Sequence, residues 1–131
     1  MSDNALAPYS LALLRIVTGL MFLAHGLQKL AGFPAPAERG VAELMSFMGL
    51  AGLLELVGGL MIAIGLLTRP VAFILSGMMA VAYFLAHAPM GFYPILNHGE
   101  LAIMLCFVFL LLSVTGPGAW SIDGIRSGRL E

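Results

Sequence analysis

The sequence predicts an all-α fold, an integral membrane four-helix bundle. Of the 131 residues, 60% are hydrophobic and 10% are charged, and the mean hydropathy is +1.01. A soluble domain has about a quarter charged residues, so this chain has too little polar surface to face water, and lipid is the expected outer solvent. Its apolar segments also approach the length of about 20 residues that a helix needs to cross a bilayer.

Four membrane spans are expected, at residues 10–31, 50–67, 71–87 and 99–114. Glycine and proline mark their ends, as at Gly116-Pro117-Gly118 after the fourth span. Between the first two spans, residues 38–48 carry apolar side chains at helical spacing, which predicts a short amphipathic helix at the membrane interface. No stretch is long enough for a separate domain, so residues 1–131 are expected to form a single transmembrane domain.

The few charged residues limit the partners and set the expected orientation. The net charge is −1 and no basic run occurs, so nucleic-acid binding is not expected. One cysteine, Cys106, cannot form an internal disulfide or a redox dithiol, so a redox role would need a bound or diffusible cofactor. Arg69, Arg126 and Arg129 fall on one side of the expected bundle, which predicts that both termini are cytoplasmic.

Glycine recurs within the expected spans, as at Gly19, Gly26, Gly58 and Gly59. In lipid, small residues let helices approach closely, because apolar burial no longer drives helix association. Gly19 and Gly26 lie seven residues apart and share one helix face, which predicts close packing of the first helix against a neighbour.

Polar side chains within the spans are the main functional information. An ionisable group in a membrane helix is costly, and by default it marks a site or a buried pair. We expect Arg15, the deepest of these groups, to be neutralised inside the bundle, with Glu55 as its best partner. A purely structural interpretation also exists, since Lys29 can extend to the interface and Glu100 can sit near a helix N-terminus. Eight other polar residues fall near one membrane face: His25, Gln28, Lys29, Glu55, His87, Asn97, His98 and Glu100.

Four motifs occur in a fixed order along the chain: Arg15 with His25-Gly26-Leu27-Gln28-Lys29, then Glu55–Gly59 with Gly65–Arg69, then Asn97-His98-Gly99-Glu100, and finally Gly116–Asp123, which contains Trp120. Together they resemble the DoxX family of small bacterial membrane proteins, from about Tyr9 to Asp123. His98 departs from the commoner Asn-Gly-Glu form of the third motif. The resemblance implies a four-helix bundle, a bacterial inner-membrane location and a role in quinone-linked redox chemistry.

The first functional hypothesis is a component of a quinone-linked oxidoreductase, with a polar site near the periplasmic face. Its candidate catalytic residues are Glu55, His25 and Glu100, of which the two carboxyl groups would carry protons. The candidate binding residues are Arg15, Lys29, Gln28, His87, Asn97 and His98, and the rings of Phe22, Phe84 and Phe107 would wall a quinone. A protein partner would have to supply electrons, because the chain carries no cofactor-binding motif.

Three other functions stay open. The chain could be a non-enzymatic subunit or scaffold of a redox complex, in which the polar residues hold the bundle together or dock an enzyme. It could be a transporter of ions or small solutes, since intramembrane Arg, Glu and His suit anion or proton movement. It could bind haem or a metal through His25 and His87, although no haem-attachment or metal motif is evident. The expected partners are membrane lipid, a quinone, and a protein partner or further copies of the chain.

Overall fold

The computed structural model describes residues 4–128, and every regular element within them is helical, which confirms the all-α prediction. One helix, Thr68–Ala82, continues through a π turn at Tyr83–His87 and a 3₁₀ turn at Ala88–Met90. Arg129, used in the orientation argument, lies outside the described residues. The helices are α1 (Ala7–Ala31), α2 (Phe47–Ile64), α3 (Thr68–Ala82), α4 (Pro94–Asn97), α5 (Glu100–Thr115) and α6 (Ile122–Arg126).

Three helical segments of the described chain are long and apolar enough to cross a membrane: Ala7–Ala31, Phe47–Ile64 and Thr68–Met90. The fourth expected span corresponds to Glu100–Thr115, which is apolar but has only 16 residues. The helices therefore begin and end within a few residues of the expected spans. The chain is a membrane protein with several apolar helices.

The chain divides into two compact units. Among the described residues, the first comprises 4–68 together with 117–128, and it contains α1 and α2. The second is Arg69–Gly116. Within the second unit, Ser76 Oγ of α3 donates to the carbonyl of Cys106 in α5 at 2.8 Å.

In the first unit, α1 and α2 run antiparallel and approach each other along a glycine seam, the residues Gly19, Gly26, Gly52 and Gly59. A Cβ atom added at Gly19 would lie 2.5 Å from the backbone nitrogen of Ala63, and one added at Gly26 would lie 2.5 Å from that of Leu56. No side chain fits at these distances, so the contact requires glycine. The prediction of close packing through Gly19 and Gly26 is confirmed.

Burial along these helices is inverted relative to a soluble protein. The buried positions of α2 are Gly49, Gly52, Glu55, Gly58, Gly59 and Ile62, which are mostly small or polar. The exposed positions of α1 include large apolar side chains such as Leu13, Val17 and Leu20, each more than half exposed. A small and polar interior with an apolar exterior is typical of helices that pack inside lipid.

The expected amphipathic helix at residues 38–48 is wrong. Residues 38–46 form turns, bends and irregular backbone, and α2 begins directly after Ser46, whose side chain caps the helix by accepting a backbone N–H. Gly40 adopts a left-handed φ of +76° there. The N–H of Ala42 donates to the carbonyl of Lys29 at 2.7 Å, so the segment is held against the end of α1 and does not form its own helical hydrogen bonds.

Candidate functional site

The first unit contains a buried ion pair between α1 and α2. Nζ of Lys29 donates to Oε1 of Glu55 at 2.6 Å. Glu55 is 4% exposed and lies on the same buried face of α2 as the glycine seam. An isolated carboxylate is costly to bury, so the cation on the facing helix is what permits Glu55 to lie inside the unit.

Glu55 uses only one of its two carboxyl oxygens in this pair. Oε2 is buried and receives no hydrogen bond from any residue in the range 4–128. His25 lies one helical turn before Lys29, is half-buried, and makes no side-chain hydrogen bond to the described part of the chain. Gln28 is half-buried and donates to the carbonyl of Ala35 at 3.3 Å. The Glu55 carboxyl therefore keeps a free position that can accept a proton or a hydrogen bond.

Arg15 is completely buried, and backbone carbonyls, not an acid, satisfy its guanidinium. The expected pairing with Glu55 is wrong, because antiparallel packing places Glu55 beside Lys29, at the other end of α1. Nε, Nη1 and Nη2 donate five hydrogen bonds of 2.6–3.0 Å, which accounts for all five guanidinium donors. The acceptors are the carbonyls of Ile62, Ala63, Pro117, Ala119 and Trp120.

The last turn of α2 offers the first two of these carbonyls. A helix ends with carbonyl groups that have no partner inside the helix and that carry a partial negative charge, so a cation is favoured there. The other three carbonyls belong to residues 117–120, which Arg15 thereby ties to α1 and α2. The same segment also contacts the start of α1, where the N–H of Ala119 donates to the carbonyl of Pro8 at 3.0 Å.

A second set of contacts ties the start of α6 to the turn after α2. Gly65 ends α2 with a left-handed φ of +70°, and a Cβ atom there would lie 2.4 Å from Cβ of Ser121. The carboxylate of Asp123 accepts the N–H groups of Leu67 and Thr68, both at 2.8 Å. The N–H of Asp123 donates in turn to the carbonyl of Gly65 at 2.9 Å.

These contacts set the ionisation of Asp123, which lies outside the membrane-spanning helices. Burial raises the pKa of the carboxyl group, but the hydrogen bonds from the N–H groups of Thr68 and Leu67, with the nearby charge of Arg126, outweigh burial. The pKa of Asp123 therefore lies below its ordinary value. The carboxylate is the form that holds the turn.

The second unit contains a polar cluster, formed by Tyr83, His87 and Asn97. Asn97 is fully buried, and its Nδ2 donates to Oη of Tyr83 at 3.2 Å and to the carbonyl of Gly91 at 2.9 Å. Its Oδ1 accepts the N–H of Gly99 at 2.9 Å. Nδ1 of His87 lies 3.0 Å from the carbonyl of Asn97. The predicted site residues His87 and Asn97 are thus brought together.

The remaining candidates of the second unit lie at its surface. His98 is exposed and takes a left-handed φ of +61° between α4 and α5, and Glu100 is exposed in the first turn of α5. The expected wall residues differ in burial, since Phe84 and Phe107 are more than 60% exposed and Phe22, in the first unit, is 1% exposed.

Two functional positions were missed by the sequence reasoning. Tyr83 is not among the predicted site residues, because its hydrogen bond to Asn97 joins residues 14 positions apart. The role of Asp123 was also missed, although its motif was recognised; a Ser-x-Asp pair separated by two residues from a preceding Gly-Pro-Gly turn is a helix-start signal that could have indicated it. Within residues 4–128, no group of three His, Cys, Asp or Glu side chains is placed to hold a metal ion.

The fold and these contacts define a helical membrane protein with an ion pair and a fully buried arginine among its membrane-spanning helices. The DoxX family profile matches residues 10–88, and the chain belongs to this family. A Haemophilus influenzae protein without an assigned function is 45% identical over 120 residues, which cover 88% of this chain and 90% of the relative.

Two further relatives carry informative names. The inner membrane protein YqjF of Escherichia coli is 33% identical over 130 residues, covering 88% of this chain and 90% of YqjF. CatD of Bacillus subtilis, provisionally named an oxidoreductase, is 29% identical over 113 residues, covering 85% of this chain and 82% of CatD. No solved structure matches the chain significantly.

Proposed function

We propose that this chain is the membrane subunit of a quinone-linked oxidoreductase, with Glu55, Lys29 and His25 as its quinone site. The observation that carries the proposal is the free oxygen of Glu55. A carboxyl group buried to 4% exposure, held by a lysine through one oxygen and open at the other, is suited to taking up and releasing a proton inside a membrane.

Each group has a chemical role in this proposal. Reduction of a quinone to a quinol consumes two electrons and two protons. Glu55 delivers protons through its free oxygen, and Lys29 stabilises the carboxylate that remains. His25, which has no hydrogen-bonding partner among the described residues, donates a hydrogen bond to a quinone carbonyl. The sequence carries no cofactor motif, so the proposal assigns the supply of electrons to a protein partner.

The relatives support the proposed location and reaction class. YqjF is named an inner membrane protein and CatD is provisionally named an oxidoreductase. We place this chain in the bacterial inner membrane, with both termini in the cytoplasm. Lys29 and Glu55 then lie towards the periplasmic face.

The test is the quinone content of the purified protein. Wild type, Glu55→Gln and His25→Ala are purified in mild detergent, and bound quinone is extracted and quantified per mole of protein by mass spectrometry. We expect wild type to retain a quinone and each variant to bind it at least about tenfold more weakly, and so to retain less of it after purification, since one hydrogen bond involving a charged group contributes ~1.5–3 kcal/mol. The Gln amide can still accept from Lys29, so Glu55→Gln removes the ionisable group with little change in shape.

Glu43→Gln is the matched control, because Glu43 is exposed in the loop before α2 and the chemical change is the same. It should retain wild-type quinone content. Equal quinone in all four proteins would remove Glu55 and His25 from the site. A wild-type protein that carries no quinone would overturn the proposal.

A second candidate function, a non-enzymatic scaffold of a redox complex, is favoured by Arg15. All five of its donors bind backbone carbonyls, so this buried charge has a structural role. In that case the Lys29–Glu55 pair also holds the helices together. A wild-type protein that lacks quinone but co-purifies with a partner, and loses that partner in Glu55→Gln, would favour the scaffold.

A further inference from the structure

The π turn at the end of α3 aligns two polar aromatic side chains. In a π turn each N–H bonds to the carbonyl five residues earlier, and here the N–H of Ala88 donates to the carbonyl of Tyr83. Within this turn the rings of Tyr83 and His87 stack, with centroids 6.3 Å apart and an interplanar angle of 23°. Such turns interrupt a regular helix and occur frequently at functional sites.

Asn97 fixes which hydrogen-bonding groups this pair presents. The main-chain carbonyl oxygen of Asn97 can only accept a hydrogen bond, so Nδ1 of His87, 3.0 Å away, carries the proton. In the neutral ring Nε2 is then an acceptor. Oη of Tyr83 accepts from Nδ2 of Asn97, so the phenol proton is available to another acceptor. Within residues 4–128, neither Nε2 of His87 nor the Tyr83 proton has a further partner.

The hydrogen-bonding partners of the pair are uncharged groups, and an aromatic ring packs beside it. Tyr83 and His87 are half-buried, and Phe84 packs edge-on against Tyr83 with centroids 5.3 Å apart while remaining 68% exposed. None of the residues that bond to Asn97 is an acid, a lysine or an arginine. The arrangement thus offers one acceptor, one donor and an aromatic surface, and no charged side chain bonds to Asn97.

We propose that Tyr83 and His87 form a binding site for a phenolic hydroxyl group of the kind carried by a quinol. The hydroxyl donates to Nε2 of His87, and its oxygen accepts the phenol proton of Tyr83. A quinone carbonyl satisfies Tyr83 alone, so the site prefers the reduced over the oxidised ring. Asn97 is the positioning residue. The identity of the ligand rests on the proposed function, whereas the site uses only residues 83–99.

The test is nitrogen NMR on the full chain in detergent, with histidine labelled at both ring nitrogens and the resonances assigned with His25→Ala and His98→Ala. Free His87 should show the less common Nδ1–H tautomer. Titration with a short-chain benzoquinol should shift the Nε2 resonance of His87. The corresponding benzoquinone should bind at least about tenfold more weakly, since it lacks the donor for one hydrogen bond.

Tyr83→Phe keeps the ring and removes the donor, so quinol affinity should fall about tenfold, the effect of ~1.4 kcal/mol. Tyr93→Phe is the matched control, because the side chain of Tyr93 is 62% exposed and its ring packs against Phe92. An Nε2–H tautomer of free His87, or quinol and quinone of equal affinity in wild type, would overturn the inference without any variant.

The outcome is distinguishable from failure of the proposed function. If wild type retains quinone and Glu55→Gln loses it, but His87 does not respond to quinol, the Lys29–Glu55 site stands and the Tyr83–His87 site does not. If purified wild type carries no quinone while His87 binds quinol with the expected preference, the Lys29–Glu55 proposal fails and the Tyr83–His87 site stands.

Discussion

Replacing Arg15 with lysine keeps the buried positive charge but removes the planar array of five donors. An ammonium group has three donors on a flexible stem, so at least two of the five carbonyls lose their partner. Lysine is expected to keep the bonds to the carbonyls of Ile62 and Ala63, because the last turn of α2 holds these groups in place. The carbonyls of residues 117–120 are therefore the ones expected to lose their hydrogen bonds. The perturbation therefore acts mainly on the attachment of the C-terminal segment.

The magnitude follows from the two lost hydrogen bonds. A hydrogen bond involving a charged group contributes ~1.5–3 kcal/mol. Side-chain hydrogen bonds in membrane proteins tend to be weaker, at ~0.6 kcal/mol on average and up to ~1.7. Taking about 1.5 kcal/mol for each bond gives a loss of about 3 kcal/mol for Arg15→Lys, a large part of a typical stability of ~5–15 kcal/mol.

Trp120 is a built-in reporter of this loss. It is the single tryptophan of the chain, its carbonyl is one of the five acceptors, and its ring packs on Tyr9 with centroids 5.3 Å apart. The assay is Trp120 fluorescence anisotropy in detergent during a temperature ramp. We expect anisotropy to fall at a clearly lower temperature in Arg15→Lys than in wild type. Arg39→Lys, in an exposed loop, is the matched control and should behave as wild type.

An Arg15→Lys protein whose anisotropy profile matches that of Arg39→Lys would refute the reasoning. In that case the five carbonyl contacts would contribute little to holding residues 117–120. Arg15→Met, which removes the charge and every donor, should be less stable than Arg15→Lys. A methionine variant as stable as wild type would contradict the account in the same way.

Two further predictions concern the first unit. Gly59→Ala should destabilise the α1–α2 contact by about 1–3 kcal/mol, because its Cβ would lie 2.5 Å from the backbone nitrogen of Leu23. Gly77→Ala is the control and should be neutral or stabilising, because there is open space around Gly77. Equal unfolding temperatures of the two variants would contradict the role of the glycine seam. The lowered pKa of Asp123 means that its contribution to stability is present above its unfolded-state pKa of about 3.9 and is lost as the pH falls through the lower folded-state value. Asp123→Asn should therefore lower the fluorescence anisotropy of Trp120 at neutral pH and abolish the fall in anisotropy that wild type shows on acidification. An unchanged fall on acidification would exclude Asp123 as its source.

The all-α membrane fold was predictable because it depends on properties that act along the chain. Apolar length identifies the helices, and the spacing of Gly19 and Gly26 identifies the packed face of α1. The failure at residues 38–48 has a local cause. Apolar spacing suggested a helix, but the hydrogen bond from Ala42 to the carbonyl of Lys29 and the left-handed Gly40 give that backbone other partners.

The site was only partly predictable, because its pairing depends on register between helices. The sequence identified Arg15, Lys29 and Glu55 as costly groups in lipid, yet it did not show which would meet. Antiparallel packing along the glycine seam brings Lys29 to Glu55 and leaves Arg15 at the end of α2. Backbone carbonyls as partners leave no trace in residue type, so the five acceptors of Arg15 could not be identified from the sequence.

The role of Asn97 shows the same limit. Its residue type and position near a helix start suggested a ligand-binding side chain. In the structure both of its amide protons are used, by Tyr83 and by the carbonyl of Gly91. These contacts join segments that a loop separates, and no periodic pattern in the sequence indicates them.

The most direct test of the central claim is an infrared difference spectrum of wild type with bound quinone, recorded as the quinone is reduced and reoxidised electrochemically. We predict a carboxyl band that changes on reduction, is absent from Glu55→Gln when that variant is saturated with added quinone, and persists in Glu43→Gln. Quinone reduction without any carboxyl band, or with the same band in Glu55→Gln, would contradict the assignment of Glu55 as the proton-carrying group.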